Sequence, residues 1–177
     1  MLLHPHPDYG GSRFHPFIDG LYHHLPERGV GAVRFDFTSA SATAAREQVG
    51  GALDYGSTRW PDRPAVMVGY SFGAGVAAGV DDERSIGWYL LAPQTSALSS
   101  AAIGNDARPK LIAVPERDQY SPPTAVQPVI AGWRETTVIV VPGVDHFLGA
   151  AVAGIVDDAA AWVATQPGGP RPSPAVT

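Results

Sequence analysis

The chain has 177 residues, 45% of them hydrophobic, with a formal net charge of −5 and no cysteine. The length and composition are typical of one globular domain with a real core, and the absence of cysteine excludes disulfides, thiolate metal sites and a cysteine nucleophile. The negative charge gives no electrostatic support for a nucleic-acid or anionic-membrane partner. The first residues, MLLHPHPDYGG, lack the features of a signal peptide, and the uncharged stretch 65–80 is too short to span a membrane. We therefore expect a cytoplasmic protein.

Short apolar runs alternate with helix-like stretches along the chain. MLLH at the start is typical of the end of a strand, and the further runs predicted as strands are VGAVRF (30–35), AVMVGY (65–70), IGWYLL (86–91), KLIAV (110–114) and TVIVV (137–141). The stretches predicted as helices are 17–29, 41–56, the run AGVAAGVDDE that follows Ser71, and 147–166. Continuous apolar strands are typical of parallel sheets that are covered on both faces. The sequence therefore predicts an α/β fold, a mostly parallel twisted sheet of about six strands with helices on both faces.

We expect a single domain over residues 1–166. The remaining segment, PGGPRPSPAVT (167–177), is rich in proline and glycine and has little apolar surface to bury. Such a composition is typical of disorder, so a disordered tail is predicted there.

Ser71 lies in the stretch GYSFG, between an apolar strand and a run of small residues. A serine at a sharp strand-to-helix turn is held in a strained backbone conformation that exposes its hydroxyl above the sheet. Such a turn brings the residues two before and two after the serine together, where only small residues fit, and Gly69 and Gly73 occupy these positions. The alternative is a glycine-rich turn with an incidental serine. The position directly after a predicted strand favours a nucleophile.

The same glycines also match a dinucleotide-binding pattern, Gly-x-Gly-x-x-Ala, over residues 73–78. That pattern needs its first glycine directly after the strand and an acidic residue after the next strand. Here several residues separate strand and glycine, and the next strand ends in LLAPQT, without an acid. The nucleotide interpretation is therefore disfavoured.

A nucleophilic serine needs a base and an acid that orients the base. On this kind of turn, the acid and then the histidine follow the serine in chain order. His146, just beyond the last predicted strand, is the only histidine after Ser71, and PERDQYSPP offers Glu116 and Asp118 as the acid. Asp118 has the more usual distance from the strand end, so we predict Ser71, Asp118 and His146 as a catalytic set. The structural alternatives are that Asp118 is a solvated loop acid and that His146 is a polar residue at the start of a helix.

The transition state of acyl transfer also needs two hydrogen-bond donors for its oxyanion. The amide after the nucleophile, that of Phe72, is one candidate, and the other should come from a loop after an early strand. In HPHP the prolines have no N–H, so the amide of His6 is the natural second donor. The alternative, a metal site formed by His4 and His6, lacks an evident carboxylate-rich partner segment, and no metal site is predicted.

The stretches HPHPDYGG, GYSFGAG, PERDQYSPP and GVDHFLG together resemble the α/β-hydrolase superfamily, over about residues 2–163. They are more narrowly similar to its small dienelactone-hydrolase-like branch of bacterial hydrolases. The resemblance implies Ser71 as nucleophile, His146 as general base and acid, Asp118 as the orienting carboxylate, and hydrolysis of an ester or related acyl bond without a cofactor. It implies the amides of His6 and Phe72 as oxyanion donors.

The chain departs from the pattern of these hydrolases at two places, which affect what we expect of the substrate and of the sheet edge. Residues 34–39 read RFDFTS where these hydrolases usually continue with a glycine-rich RG-x-G-x-S loop, which leaves the substrate open. The hydrolases also carry two further strands before LLHPHP, so we expect either a minimal version or a misplaced start. Without those strands, 30–35 becomes a sheet edge that can recruit another chain, and we expect a homodimer through it, with a covering loop such as 9–15 as the alternative.

The stretch between the strands 86–91 and 110–114 has room for one short helix and no lid domain. We therefore expect an open, shallow site for a small-molecule acyl substrate, lined by Asp8, Tyr9, Phe72, Tyr120 and Phe147. A serine hydrolase of the carboxylesterase type is the predicted function. A thioesterase, peptidase or transacylase using the same residues remains open, as does a non-catalytic binding protein with the same fold.

Overall fold

The computed structural model describes residues 1–167, so all of the predicted disordered tail except Pro167 lies outside the described residues. The strands are β1 (Leu2–Leu3), β2 (Ala65–Tyr70), β3 (Ser85–Leu91), β4 (Lys110–Arg117) and β5 (Thr136–Asp145). The α-helices are α1 (Pro16–Glu27), α2 (Ala42–Arg59), α3 (Phe72–Ala78), α4 (Thr95–Ser99), α5 (Pro123–Ile130) and α6 (Val152–Ala164). None of the helices in this part of the chain is both long and apolar enough to cross a membrane.

The five strands form one sheet in sequential order, and every neighbouring pair is parallel. Helices α1 and α6 pack on one face, and α2 to α5 supply the core on the other. Successive residues of a strand point to opposite faces, and in β3 Trp88 and Leu90 enter one core while Tyr89 and Leu91 enter the other. Burial on both faces explains the continuous apolar runs and confirms the predicted α/β fold.

The segment 30–35 departs from the prediction because it does not form a sixth strand. Its link to the sheet is an isolated bridge between Leu2 and Arg34, with the Leu2 amide donating to the Val33 carbonyl at 2.8 Å. The neighbouring strand β1 has only two residues, so it offers few groups for a ladder. The Arg34 side chain is bound to Asp19 and lies over the ring of Tyr22. Self-association through 30–35 stays a prediction.

Two helical regions also differ from the sequence expectation. The stretch 147–166 begins with a turn of 3₁₀ helix, Gly149–Ala151, and α6 starts only at Val152. Leu148 has a φ of 68°, which is incompatible with a right-handed helix at that point. Helix α5 was not predicted. The connection between β3 and β4 holds the short helix α4 and a 3₁₀ turn, Ala102–Asn105. This agrees with the prediction that the connection has room for one short helix and no lid domain.

All five strands run in the same direction, so their carboxyl ends meet at one edge of the sheet. In open parallel sheets this edge is the usual place for a ligand site. Ser71 follows β2, Asp118 follows β4 and His146 follows β5 at this edge.

Candidate active site

Ser71 occupies the turn between β2 and α3 in a strained backbone conformation, with φ 54° and ψ −112°. Positive φ is uncommon for a residue with a side chain and marks stored strain. A Cβ on Gly69 would lie 2.4 Å from the carbonyl oxygen of Gly73, and a Cβ on Gly73 would lie 2.2 Å from that of Leu3. Only glycine fits at either position, because the atoms in the way belong to the backbone.

Three polar side chains form a continuous chain of contacts at the carboxyl edge. Ser71 Oγ lies 2.9 Å from His146 Nε2, and His146 Nδ1 lies 2.8 Å from Asp118 Oδ2. All three residues are at most 7% exposed. The structure thus brings together the serine, the histidine and the acid that the sequence singled out, each from the end of a different strand.

The hydrogen bonds around Asp118 determine the charge and tautomer of the group. Burial raises the pKa of the Asp118 carboxyl, but hydrogen bonds from His146 and from the amides of Ser121 and Tyr120 outweigh burial and leave it below its ordinary value. An ionised carboxylate can only accept, so His146 carries its proton on Nδ1. Nε2 is then free to accept a proton from the Ser71 hydroxyl.

The other two nearby carboxylates have different partners. Glu116 Oε2 accepts a hydrogen bond from the Gly143 amide at 2.6 Å, and Asp145 Oδ1 accepts one from the Phe147 amide at 3.0 Å. Both bonds brace the main chain before and after His146 without touching its ring. Asp118 is therefore the carboxylate that contacts the imidazole.

The two candidate oxyanion donors lie on the loop after β1 and at the start of α3. Within the described residues neither the His6 amide nor the Phe72 amide donates a hydrogen bond, and the two side chains are in contact, with ring centroids 5.0 Å apart. His4, the other histidine of HPHP, has a structural role. Its Nε2 accepts a hydrogen bond from the Phe37 amide at 2.8 Å, and its Nδ1 lies 2.6 Å from the Pro5 carbonyl oxygen.

Aromatic side chains flank the serine on two sides. Tyr9, which is 87% exposed, contacts His6 on the side of the β1 loop. Tyr120 and Phe147, both more than half exposed, contact the ring of His146 edge-on. Asp8 is exposed, and its carboxylate makes no hydrogen bond to any residue in the range 1–167. Of the predicted lining residues, Tyr9, Tyr120 and Phe147 are thus exposed aromatic side chains in contact with His6 or His146.

Sequence reasoning missed two residues that hold His146 in place. The Tyr70 hydroxyl donates to the His146 carbonyl oxygen at 2.6 Å, and the His146 amide donates to Gln119 Oε1 at 3.1 Å. Both residues lie next to a predicted catalytic residue, but their roles depend on pairings between distant loops. The loop RFDFTS likewise places Phe37 against Phe72, with ring centroids 5.5 Å apart.

Among residues 1–167, no three histidine or acidic side chains cluster in a way that could hold a metal ion. The histidine pair of HPHP is divided, since His4 faces the core while His6 faces the site.

Comparison with solved structures identifies the fold. The chain is 23% identical to an α/β serine hydrolase homologue from Coxiella burnetii, with a TM-score of 0.79 over 92% of this chain and 83% of that one. It is 19% identical to an α/β serine hydrolase without a lid from Xanthomonas campestris, with a TM-score of 0.78 over 94% and 82% of the two chains. A third similar structure is Est1E from Butyrivibrio proteoclasticus with ferulic acid bound, 13% identical, with a TM-score of 0.71 over 93% and 87%.

At these identities the likeness establishes the fold, an α/β-hydrolase fold without a lid. No family model matches the chain, and no curated protein matches its sequence.

Proposed function

We propose that the chain is a serine hydrolase that cleaves a small ester or related acyl bond through an acyl-serine intermediate. The observation that carries this proposal is the contact of the strained Ser71 with His146, together with the contact of His146 with Asp118. A nucleophile, a base and an orienting acid in this geometry are the parts that acyl transfer needs.

In the proposed reaction, His146 Nε2 takes the proton of Ser71 as Oγ attacks the carbonyl carbon of the substrate. Asp118 stabilises the resulting imidazolium through Nδ1 and stays ionised. His146 then gives the proton to the leaving group, which departs from the tetrahedral intermediate. A water molecule, deprotonated by His146, attacks the acyl-serine, and the proton returns to Ser71.

The negative charge of the tetrahedral intermediate would lie between the amides of His6 and Phe72. Each such donor contributes on the order of 3 kcal/mol to lowering the barrier. Support for this assignment comes from the two amides having no acceptor within residues 1–167 and from the packing of the two side chains against each other.

The surroundings of Ser71 favour substrates that protrude into an open site. No lid domain separates β3 from β4 within the described chain, so a long lipid chain would find no apolar cover. The exposed rings of Tyr9, Tyr120 and Phe147 offer flat contacts for a short or aromatic acyl group. The ferulic acid bound to Est1E, an aromatic acid on the same fold, is consistent with this preference.

A graded series of p-nitrophenyl esters tests the proposal. We expect turnover of the acetate and butyrate, a burst of p-nitrophenol equal to the concentration of active sites when deacylation is slow, and falling kcat/KM toward the palmitate. Activity that rises steeply at a lipid–water interface would contradict the open site. A folded chain that releases no p-nitrophenol from any of the esters would support a non-catalytic binding protein instead.

A further inference from the structure

Tyr70 is the last residue of β2 and directly precedes Ser71. The ring is buried, only 3% exposed, and the hydroxyl donates to the main-chain carbonyl oxygen of His146 at 2.6 Å. One side chain therefore ties the strand that carries the nucleophile to the loop that carries the base.

The loop at His146 depends on such ties. Leu148, two residues further on, has a φ of 68°, a conformation that a residue with a side chain rarely adopts unaided. Gln119 accepts the hydrogen bond of the His146 amide, and Tyr70 donates to the His146 carbonyl, so two side chains from other strand ends hold both main-chain polar groups of this one residue. If the Tyr70 bond is lost, the His146 main chain keeps the Gln119 bond and its ring keeps the Asp118 contact, but the carbonyl of His146 loses its donor.

The Tyr70 hydroxyl is suited to a fixed donor role. Burial, with the charges of Asp118 and Asp145, raises the pKa of Tyr70 well above its ordinary value, so the hydroxyl keeps its proton. The ring also packs against those of His15 and Phe17, with centroids 4.9 and 6.2 Å away. These contacts leave the hydroxyl little freedom to choose another acceptor.

We propose that Tyr70 is a positioning residue, whose bond to the His146 carbonyl sets the distance between Nε2 and Ser71 Oγ. This inference rests on the proposed function. Because misplacing a catalytic group by about 1 Å can lower the rate about a hundredfold, we expect Tyr70→Phe to lower kcat by about ten- to a hundredfold. KM should change less than about twofold, since the buried hydroxyl lies outside the surface that a substrate reaches.

The test compares Tyr70→Phe with Tyr89→Phe on p-nitrophenyl acetate. Tyr89 belongs to the same core, is 1% exposed, and its hydroxyl makes no hydrogen bond within the described residues. Both substitutions delete one buried hydroxyl, but only the first deletes the tie to His146. A fall in kcat at constant KM for Tyr70→Phe alone supports the proposal. Unchanged kcat for Tyr70→Phe, an effect on KM only, or equal effects of the two substitutions would overturn it.

Amide hydrogen exchange gives a second readout that does not need turnover. We expect at least tenfold faster exchange over residues 144–149 in Tyr70→Phe, with the parent rates kept in Tyr89→Phe. If the parent chain hydrolyses no ester, the proposed function fails. The exchange rates then test by themselves whether the Tyr70 hydrogen bond holds the loop at His146. Parent-like exchange over 144–149 in Tyr70→Phe would then overturn it.

Discussion

The two ends of the parallel sheet both carry buried ionisable groups, but they use them differently. At the amino end, Arg108 donates to Asp106 and to the carbonyl oxygens of Asp82 and Ser85, and Lys110 Nζ donates to two further carbonyls at 2.7 Å. Each of these donors ends on a side-chain carboxylate or a main-chain carbonyl oxygen. At the carboxyl end, the chain of bonds from Asp118 through His146 ends on the Ser71 hydroxyl.

The difference shows that a perturbed pKa does not by itself identify a site. Hydrogen bonds from Arg108 lower the pKa of Asp106 to about 2, and burial lowers the pKa of Lys110. These shifts accompany an ion pair between Asp106 and Arg108 and hydrogen bonds from Lys110 to main-chain carbonyls, none of which lies at the carboxyl edge. The carboxyl end adds a strained serine with φ 54° and two amides without acceptors among residues 1–167. We infer that the combination of a strained serine, its contact with His146 and two nearby amides without acceptors distinguishes the candidate catalytic end from the structural one.

Substituting Ser71→Ala removes the last group of the chain at the carboxyl end. We expect ester hydrolysis to fall by about 10⁴-fold or more, because the residual rate would rest on the oxyanion donors alone. The melting temperature should stay near that of the parent, since the change deletes one oxygen. Turnover that persists at the parent KM would exclude Ser71 as the nucleophile.

Gly73→Ala tests whether the turn itself is needed. The new Cβ would lie 2.2 Å from the Leu3 carbonyl oxygen, which cannot move without shifting β1. We expect a loss of about 3 kcal/mol or more in the free energy of unfolding, measured by denaturant titration. Gly50→Ala in α2 is the matched control, because a Cβ there meets nothing within 4 Å and should stabilise the helix by about 0.5–1 kcal/mol. Equal effects of the two substitutions would show that the turn is not closely packed.

At the amino end we expect the opposite result from Ser71→Ala, namely a loss of stability without a loss of activity. Lys110→Met keeps an unbranched apolar side chain but removes the ammonium group, which lies 5.8 Å from the centre of the Trp88 ring and is the donor to the carbonyls of Asp106 and Arg108. A partly buried carbonyl that loses its donor costs up to about 1–3 kcal/mol, so the melting temperature should fall. The kcat for p-nitrophenyl acetate, measured well below that temperature, should match the parent value. A fall in kcat larger than the loss of folded protein would mean that the two ends are coupled.

The smallest effect is expected from His15, which caps α1 beneath the site. Burial lowers the pKa of His15 to about 4, whereas an unfolded histidine titrates near 6.5. Between these values the unfolded chain binds a proton that the native chain does not, so stability falls as the pH falls. His15→Asn keeps a capping acceptor for the Phe17 amide and should make the melting temperature fall less between pH 7 and 4.5. Identical pH profiles for parent and variant would contradict this assignment.

Much of the fold and the site could be predicted because the deciding signals are local in sequence. The glycines around Ser71 and the apolar runs follow from turn geometry and two-sided burial, which act over a few residues. The wrong prediction of a strand at 30–35 has a different cause. Val30, Val33 and Phe35 are apolar enough for a strand, but a ladder also needs a partner, and β1 is only two residues long.

The roles of Tyr70 and Gln119 could not be predicted for a related reason. Each bonds a main-chain group of His146, which lies 76 and 27 residues away in sequence. No pattern of residue types encodes such a pairing, because many polar side chains can bond a main-chain amide or carbonyl. The chemistry of the three predicted residues is read from sequence, whereas the contacts that position them require the structure.

Labelling with a fluorophosphonate, followed by peptide mass spectrometry, tests most directly whether Ser71 is an activated nucleophile. A serine whose hydroxyl loses its proton to His146 attacks the phosphorus and displaces fluoride, whereas an ordinary serine does not react. We predict one adduct per chain on the peptide that contains Ser71, its loss in Ser71→Ala, and at least a hundredfold slower labelling in His146→Ala. A natively folded parent chain that stays unlabelled, or that is labelled equally fast without His146, would contradict the proposed mechanism.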